Sequence, residues 1–193
     1  AEMPSCASQP AASLLVDRSL RGQVHIVTGG DSNAGRAAAD ALAGAGATVL
    51  IAARSQAKGE EAAESISRQS GSRVVFVPLD LTSFASVRRA AFQLLSEAGG
   101  RIDSVVLCAG VIGVRGTAVS SWITSSGLES TMMINYFGHA LLVETLLPTL
   151  RVSGARVIEV ASSTVLFPCD WANVTSDCTT LENVALVSHT IPT

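Results

Sequence analysis

Thr28, Gly29, Gly30, Asn33, Ala34, Gly35 and Arg36 crowd into one short stretch between an apolar run, Val24 to Val27, and an alanine-rich segment. Their combined chemistry is anion binding. Glycines at 29, 30 and 35 let backbone N–H groups approach a phosphate with no side chain in the way. A helix opening just after such a turn aims the positive end of its dipole at the same place. The bland alternative is a tight turn without a ligand. A second feature, Ala53-Arg54, closes the next apolar run with a cation, where NAD-preferring folds carry an acid for the ribose 2′-hydroxyl. Arg54, with Arg36 as a second cation, suits a 2′-phosphate, so NADP is expected in preference to NAD. A charge-assisted hydrogen bond of this kind contributes roughly 1.5–3 kcal/mol; the alternative for Arg54 is a solvated loop charge.

Three further groups belong with these. Asp80-Leu81 follows a third apolar run, where the carboxylate either accepts from an adenine amino group or caps the next helix. Ala109-Gly110 ends a fourth run, and Gly110 lets the chain pass close beneath a nicotinamide ribose. Ser162, at the exit of a fifth run, can hydrogen-bond a substrate carbonyl. Asn135 lies mid-helix, where its propensity is poor, which fits a packed or water-holding role. His139, one turn on, reads as a helix-surface or packing residue. No metal site is expected, because Cys6, Cys108, Cys169 and Cys178 have no ligand spacing. Cys108, inside an apolar run, reads as a small core residue.

The elements that position these groups alternate. Strands are expected at Arg21 to Thr28, Thr48 to Ala53, Arg73 to Pro78, Ser104 to Gly110 and Ala155 to Ala161. Helices are expected at Arg36 to Gly46, Gln56 to Arg68, Thr82 or Ser83 to Glu97, and residues 126–150. Ala37, Ala41 and Ala45 are expected to face the sheet from the first helix, and Val87, Ala91 and Leu94 from the third. Leu128, Met132, Asn135, His139 and Leu142 are expected along one side of the long helix. Alternation of this kind argues for a parallel sheet with right-handed crossovers, an α/β doubly wound fold of Rossmann type. Its five strands are expected in the order 3-2-1-4-5, with the fold incomplete at its C-terminal side. The division expected is a loose arm over 1–20, a dinucleotide-binding domain over 21–167 and an atypical tail over 168–193.

Composition agrees with that class. The 193 residues are 48% apolar and 15% charged, as buried parallel strands require. The net charge of −3 gives no reason to expect a nucleic-acid partner. No apolar run is long enough to span a bilayer, and the opening residues lack a signal peptide's basic start and apolar centre. A reducing, cytoplasmic location is expected, with membrane association through a segment upstream of Ala1 left open.

In order and spacing, Thr28-Gly29-Gly30-x-x-Asn33-x-Gly35, Ala53-Arg54-Ser55, Asp80-Leu81, Cys108-Ala109-Gly110, Asn135-Tyr136-Phe137-Gly138-His139 and Val160-Ala161-Ser162 resemble the classical short-chain dehydrogenases/reductases. The runs from Ile51 to Ile66 and from Asn135 to Leu142 look most like the retinol-dehydrogenase-like branch. The resemblance covers roughly residues 18–167. It implies hydride transfer between a nicotinamide and an alcohol or carbonyl substrate, with Ser162 orienting the carbonyl and Asn135 holding a water in the proton relay. It also leaves an oligomer open.

The departures from the family pattern shape the functional expectation. Asn33 stands where the family has a middle glycine, and Asn tolerates a left-handed backbone better than most residues. Leu107-Cys108 replaces a pair of asparagines, removing a side chain that ties the cofactor strand to its neighbour. The family's acid/base tyrosine, with a lysine four residues on, is expected after Ser162. The only tyrosine is Tyr136 and the only lysine is Lys58, so neither role carries over. Around position 187 the chain reads Val187-Ser188-His189-Thr190-Ile191. A missing general acid costs about 10²–10⁴ in rate. Two readings follow: an NADP-dependent oxidoreductase by descent, truncated or altered and weakly active or inactive, or a non-catalytic NADP(H)-binding or interaction protein. Without the helix that covers it in the family, strand five is expected to present Val157 and Val160 at an open edge that invites self-association.

Overall fold

Strands built from buried Val, Ile, Leu and Ala lie side by side, and glycines and serines end the segments between them. A computed structural model describes residues 18–31, 33–111, 123–128 and 130–162, with Ser162 and residues 184–190 described by their strand pairing alone. Most of the expected arm and tail, and Cys6, Cys169 and Cys178, lie outside the described residues. The elements run β1 (Val24–Thr28), α1 (Asn33–Gly44), β2 (Thr48–Ala53), α2 (Gln56–Ser70), β3 (Val74–Pro78), α3 (Phe84–Ala98) and β4 (Ser104–Leu107). A short α4 (Ser130–Met132) passes through a π-helical turn (Met133–Phe137) into α5 (Gly138–Ser153). Then come β5 (Arg156–Ser162) and β6 (Val184–Thr190).

The sheet has the order β3-β2-β1-β4-β5-β6, and every pair is parallel except β5 with β6. The expected order of five strands is therefore present, with a sixth strand added. Residues two apart on a strand share a face, and that alternation sorts the core into two layers. Ile26, Leu50, Ala52, Val105 and Leu107 pack against Val87, Ala91 and Leu94 of α3 and Leu142, Leu146 and Leu150 of α5. Val27, Val49, Ile51 and Val106 face the other way, onto Ala39 and Ala43 of α1 and Ala62 and Ile66 of α2. β1, β2 and β4 are thus covered on both sides, which explains their largely apolar sequences.

Several expectations need correction. β1 starts at Val24 rather than Arg21, because a turn at Arg21-Gly22, with Gly22 at φ +80°, precedes it. α1 starts at Asn33 rather than Arg36 and buries Gly35, Ala39, Ala41 and Ala43, whereas Ala37 is exposed. Of the expected row 37/41/45 only Ala41 is buried, and it is Ala39 and Ala43 that pack with Val27, Val49 and Ile51 of the sheet. The long helix begins at Ser130 rather than 126, because Gly127 adopts φ +76° in a turn closed onto the Thr124 carbonyl. The π-helical turn also shifts its register: Met133 is buried and Met132 is 38% exposed. The stripe drawn through Met132 fails for that reason. The cap of α3 is Ser83, whose hydroxyl accepts from the Ser86 N–H. The β5 edge is not left open within the chain, since Val184–Thr190 pairs along it from Arg156 to Ser162. That segment's short apolar run, Val184 to Val187, lies in the stretch expected as an atypical tail, and the structure makes it a strand instead.

Candidate functional site

Five parallel strands end on one edge of the sheet, at Thr28, Ala53, Pro78, Leu107 and Ser162. Ligands of open α/β sheets bind in the crevice outside these carboxyl ends. All but one of the candidate residues lie on this edge or at the α1 start beside it; Asn135 reaches it from its helix. The glycine turn there is close-packed. A Cβ on Gly29 would sit 2.9 Å from the Ala109 Cα, and one on Gly30 would sit 2.9 Å from Ile51 Cγ2. A Cβ on Gly35 would sit 2.3 Å from the Gly29 carbonyl oxygen. The start of α1 is thereby drawn against the turn, and the turn against β2 and the residue after β4. Asn33 adopts φ +49°, the one non-glycine residue with positive φ among the described residues. The position needs a left-handed backbone, and Asn provides it where the family has glycine.

Thr28, fully buried, ties this turn to β4. Its hydroxyl oxygen accepts from the N–H groups of Cys108 (2.9 Å) and Ala109 (3.1 Å), and it lies 3.0 Å from Nε2 of His139. Asn135 grips the segment one residue past Gly110. Its Oδ1 accepts from the Val111 N–H at 2.9 Å and its Nδ2 donates to the Val111 carbonyl at 3.0 Å. Leu81 is buried, and its carbonyl abuts Gly138 where α5 begins: a Cβ there would approach it to 2.7 Å. The segments after β1, β3 and β4 and the Asn135 helix are therefore held together by named contacts.

The charged candidates divide. Arg54 is exposed just past β2 and has no ion pair among the described residues. Arg36 is partly committed: Nε donates to Asp40 at 3.3 Å and its terminal nitrogen to Ser65 Oγ at 3.1 Å. One oxygen of Asp80 accepts from the N–H and the hydroxyl of Thr82, at 2.9 and 2.7 Å, which makes a local turn and leaves the cap of α3 to Ser83. Ser162 ends β5 opposite Val184. Cys108 is half-buried and free, and burial pushes its thiol up, as suits a packing residue. Tyr136 is 59% exposed with its ring edge-on to Phe137 at 5.2 Å, and Lys58 is exposed on α2.

His139 is the residue the sequence reading undervalued. It is buried, so of the two expected places, helix surface or packing, the second holds, and its Nδ1 lies 3.4 Å from the Asn135 carbonyl. Burial pushes its pKa down to about 4. Its spacing of four from Asn135 was the available signal. A surface hollow of about 650 Å³ lies elsewhere, lined by Glu60, Glu64, Arg68, Val74 and Phe76. It opens between the later part of α2 and the start of β3, near the amino ends of the strands, and has no part in this edge.

Comparison with known proteins agrees with this fold. The sequence pattern of the family described as short chain dehydrogenase matches residues 23–174. Polyprenol dehydrogenase of Mus musculus is 41% identical over 151 residues, 74% of this chain and 43% of that protein. Dehydrogenase/reductase SDR family member 13 of Homo sapiens is 38% identical over 146 residues, 75% and 37% of the two chains. The match thus spans less than half the length of these curated relatives. L-Sorbose reductase from Gluconobacter frateurii, solved with NADPH and L-sorbose, superposes with a TM-score of 0.66 at 26% identity, over 79% of this chain and 57% of that one. The RhlG/NADP complex of Pseudomonas aeruginosa gives 0.66 at 31% identity, over 84% and 60%.

Proposed function

This chain belongs to the short-chain dehydrogenase family, and on that premise we propose that it binds NADP(H) along the carboxyl edge of its sheet, with little or no turnover from its own residues. The observation that carries the proposal is the close-packed turn at Gly29, Gly30 and Gly35, where added Cβ atoms would meet their neighbours at 2.9, 2.9 and 2.3 Å. So tight a turn holds the start of α1, and with it the positive end of the helix dipole, against the carboxyl ends of the strands, where an anionic group binds. The cofactor, when bound, exchanges a hydride with the carbon of an alcohol or carbonyl compound.

Each part of the edge then has a task. Gly30, Asn33, Ala34 and Gly35 present backbone N–H groups to the pyrophosphate, while Gly29, whose N–H is taken by the Ala52 carbonyl at 2.8 Å, shapes the turn, and Thr28 keeps that turn against the segment after β4. Arg54, exposed and without an ion pair among the described residues, meets the 2′-phosphate. Arg36 adds charge nearby while it bridges to Asp40 and Ser65. Asp80, with its second oxygen, accepts from the adenine amino group beside Leu81. Ala109 and Gly110 floor the nicotinamide ribose. Ser162 donates to the substrate carbonyl. The Asn135 amide holds a water with the hydrogen and lone pair that Val111 leaves over.

Turnover is a different matter. Tyr136 and Lys58 are the only residues of their types in the sequence. They lie on separate helices, each exposed, and no pair of them can act as a general acid with a pKa-lowering partner. A second reading, a binding or interaction protein without chemistry, draws on the same observation. A reducing, cytoplasmic location fits the free thiol of Cys108. Among the described residues no helix is long and apolar enough to cross a membrane. Fluorescence titration with NADPH and NADH is the test: tighter binding of NADPH is expected. Binding of neither at millimolar concentration would refute the proposal. Transfer of deuterium from labelled NADPH to a panel of ketones, absent or slow here, separates the two readings.

A further inference from the structure

The Thr28 hydroxyl has three neighbours within hydrogen-bond distance, and their chemistry dictates where its proton goes. The N–H groups of Cys108 and Ala109, at 2.9 and 3.1 Å, can only donate. They occupy both lone pairs of the hydroxyl oxygen. The third neighbour, Nε2 of His139 at 3.0 Å, must therefore accept the hydroxyl hydrogen. An imidazole that accepts at Nε2 carries its own proton on Nδ1, and Nδ1 faces the Asn135 carbonyl at 3.4 Å. Both nitrogens are thus assigned without appeal to any ligand. Burial favours the neutral ring that this arrangement needs.

We propose that His139 is a positioning residue of the cradle, joining Thr28 at the end of β1 to the carbonyl of Asn135 as a neutral Nδ1–H imidazole. The inference deepens the NADP(H)-binding function proposed above and rests on it. By taking the hydroxyl proton, His139 leaves both Thr28 lone pairs for the two residues after β4, so the segment through Gly110 keeps its place beside Gly29. By donating to Asn135, it anchors the π-helical turn from which Asn135 clamps Val111. One ring thereby braces both ends of the Cys108-to-Val111 segment. This chain has Leu107-Cys108 at the end of β4, so no polar side chain at those two positions can share that bracing. His139 touches no reacting atom in this arrangement; it acts through Thr28 and Asn135.

The test combines a spectroscopic readout with a double-mutant cycle on the full chain. In 15N-labelled wild-type protein at pH 7, the His139 ring is expected to show a protonated Nδ1 and a bare Nε2; the opposite pattern overturns the proposal. For NADPH titration, His139→Phe and Thr28→Val are each expected to weaken binding about tenfold, and the double variant no more than the weaker single. His139→Gln, whose side-chain oxygen can still accept from Thr28, is expected to bind within about threefold of wild type. Additive losses in the cycle, or a glutamine variant as weak as the phenylalanine one, overturn it. Should His139→Phe fail to fold, the ring spectrum and the glutamine variant decide. Equal NADPH binding by wild type and a folded His139→Phe refutes this inference alone, whereas a wild type that binds no NADPH refutes the proposed function with it.

Discussion

Single atoms decide the behaviour of the turn after β1. A methyl group on Gly35 would overlap the Gly29 carbonyl oxygen, which it would approach to 2.3 Å, and a backbone oxygen cannot swing aside. Gly35→Ala should cost roughly 1–3 kcal/mol of stability by overpacking. It should also weaken NADPH binding, which denaturant unfolding and fluorescence titration would measure together; an unchanged midpoint would contradict the packing. Asn33 tests the backbone rather than the space around it. At φ +49°, Asn33→Val should lose about 1–2 kcal/mol, because a β-branched side chain meets the following carbonyl in that conformation, and Asn33→Gly should lose much less. Arg54 tests charge. Removing it as Arg54→Ala should lower NADPH affinity about ten- to hundredfold through loss of a charge-assisted hydrogen bond. NADH affinity should stay put, and equal losses for both cofactors would sink the 2′-phosphate assignment.

At the scale of elements, the joint between α5 and the segment after β3 sets how the helix lies. The Leu81 carbonyl packs where a Cβ of residue 138 would be, at 2.7 Å, and the Met133 carbonyl is 3.0 Å away on the other side. The Gly138 N–H bonds back to Met133, closing the π-helical turn. Turns of this kind often mark functional sites, because one inserted residue re-aims the side chains beside it. Here the insertion separates Asn135, reaching out to Val111, from His139, reaching in to Thr28. Gly138→Ala should push α5 from Leu81 at a cost of roughly 1–3 kcal/mol. Crystal structures of the variant should show a displaced α5 start, and an unmoved helix would refute the role given to this contact.

Across the whole molecule, two buried histidines make stability depend on pH. Burial lowers the pKa of His25, opposed by Asp103 nearby, and that of His139 to about 4. In the unfolded chain both take up protons near the ordinary histidine value of about 6.5. Between these limits the unfolded chain binds more protons, so acid favours unfolding. Full stability is therefore present above about pH 6.5 and is lost as the pH falls toward 4, with His139 contributing up to roughly 3 kcal/mol. Urea unfolding at a series of pH values should show that slope, and His139→Gln should flatten it. His25 sits at the opposite edge of the sheet, 2.7 Å from Ser104 Oγ, with its Nε2 buried and unpartnered among the described residues. Its share of the slope should survive in the His139 variant.

The amino-acid sequence alone determined the class of the fold and named most of the residues that the structure gathers at the carboxyl edge of the sheet. Runs such as Val49–Ala52 are apolar at every position because both strand faces are covered, and that pattern is local; Val24–Val27 departs from it only at His25, which is buried against Ser104. Glycines at 29, 30 and 35 and the cation at 54 are equally local, each tied to a strand end a few residues away. Helix starts and faces were less legible. The first turn of α1 depends on Asn33 accepting a left-handed backbone, and the stripe of the long helix depends on a π-helical insertion that no period of 3.6 contains. Only the tertiary structure brought His139 to Thr28, since the two are 111 residues apart in the chain and a hydrogen bond over that separation leaves no periodic trace. The pairing of Val184–Thr190 with β5 was decided the same way: strand pairing between distant segments is a property of the assembled sheet.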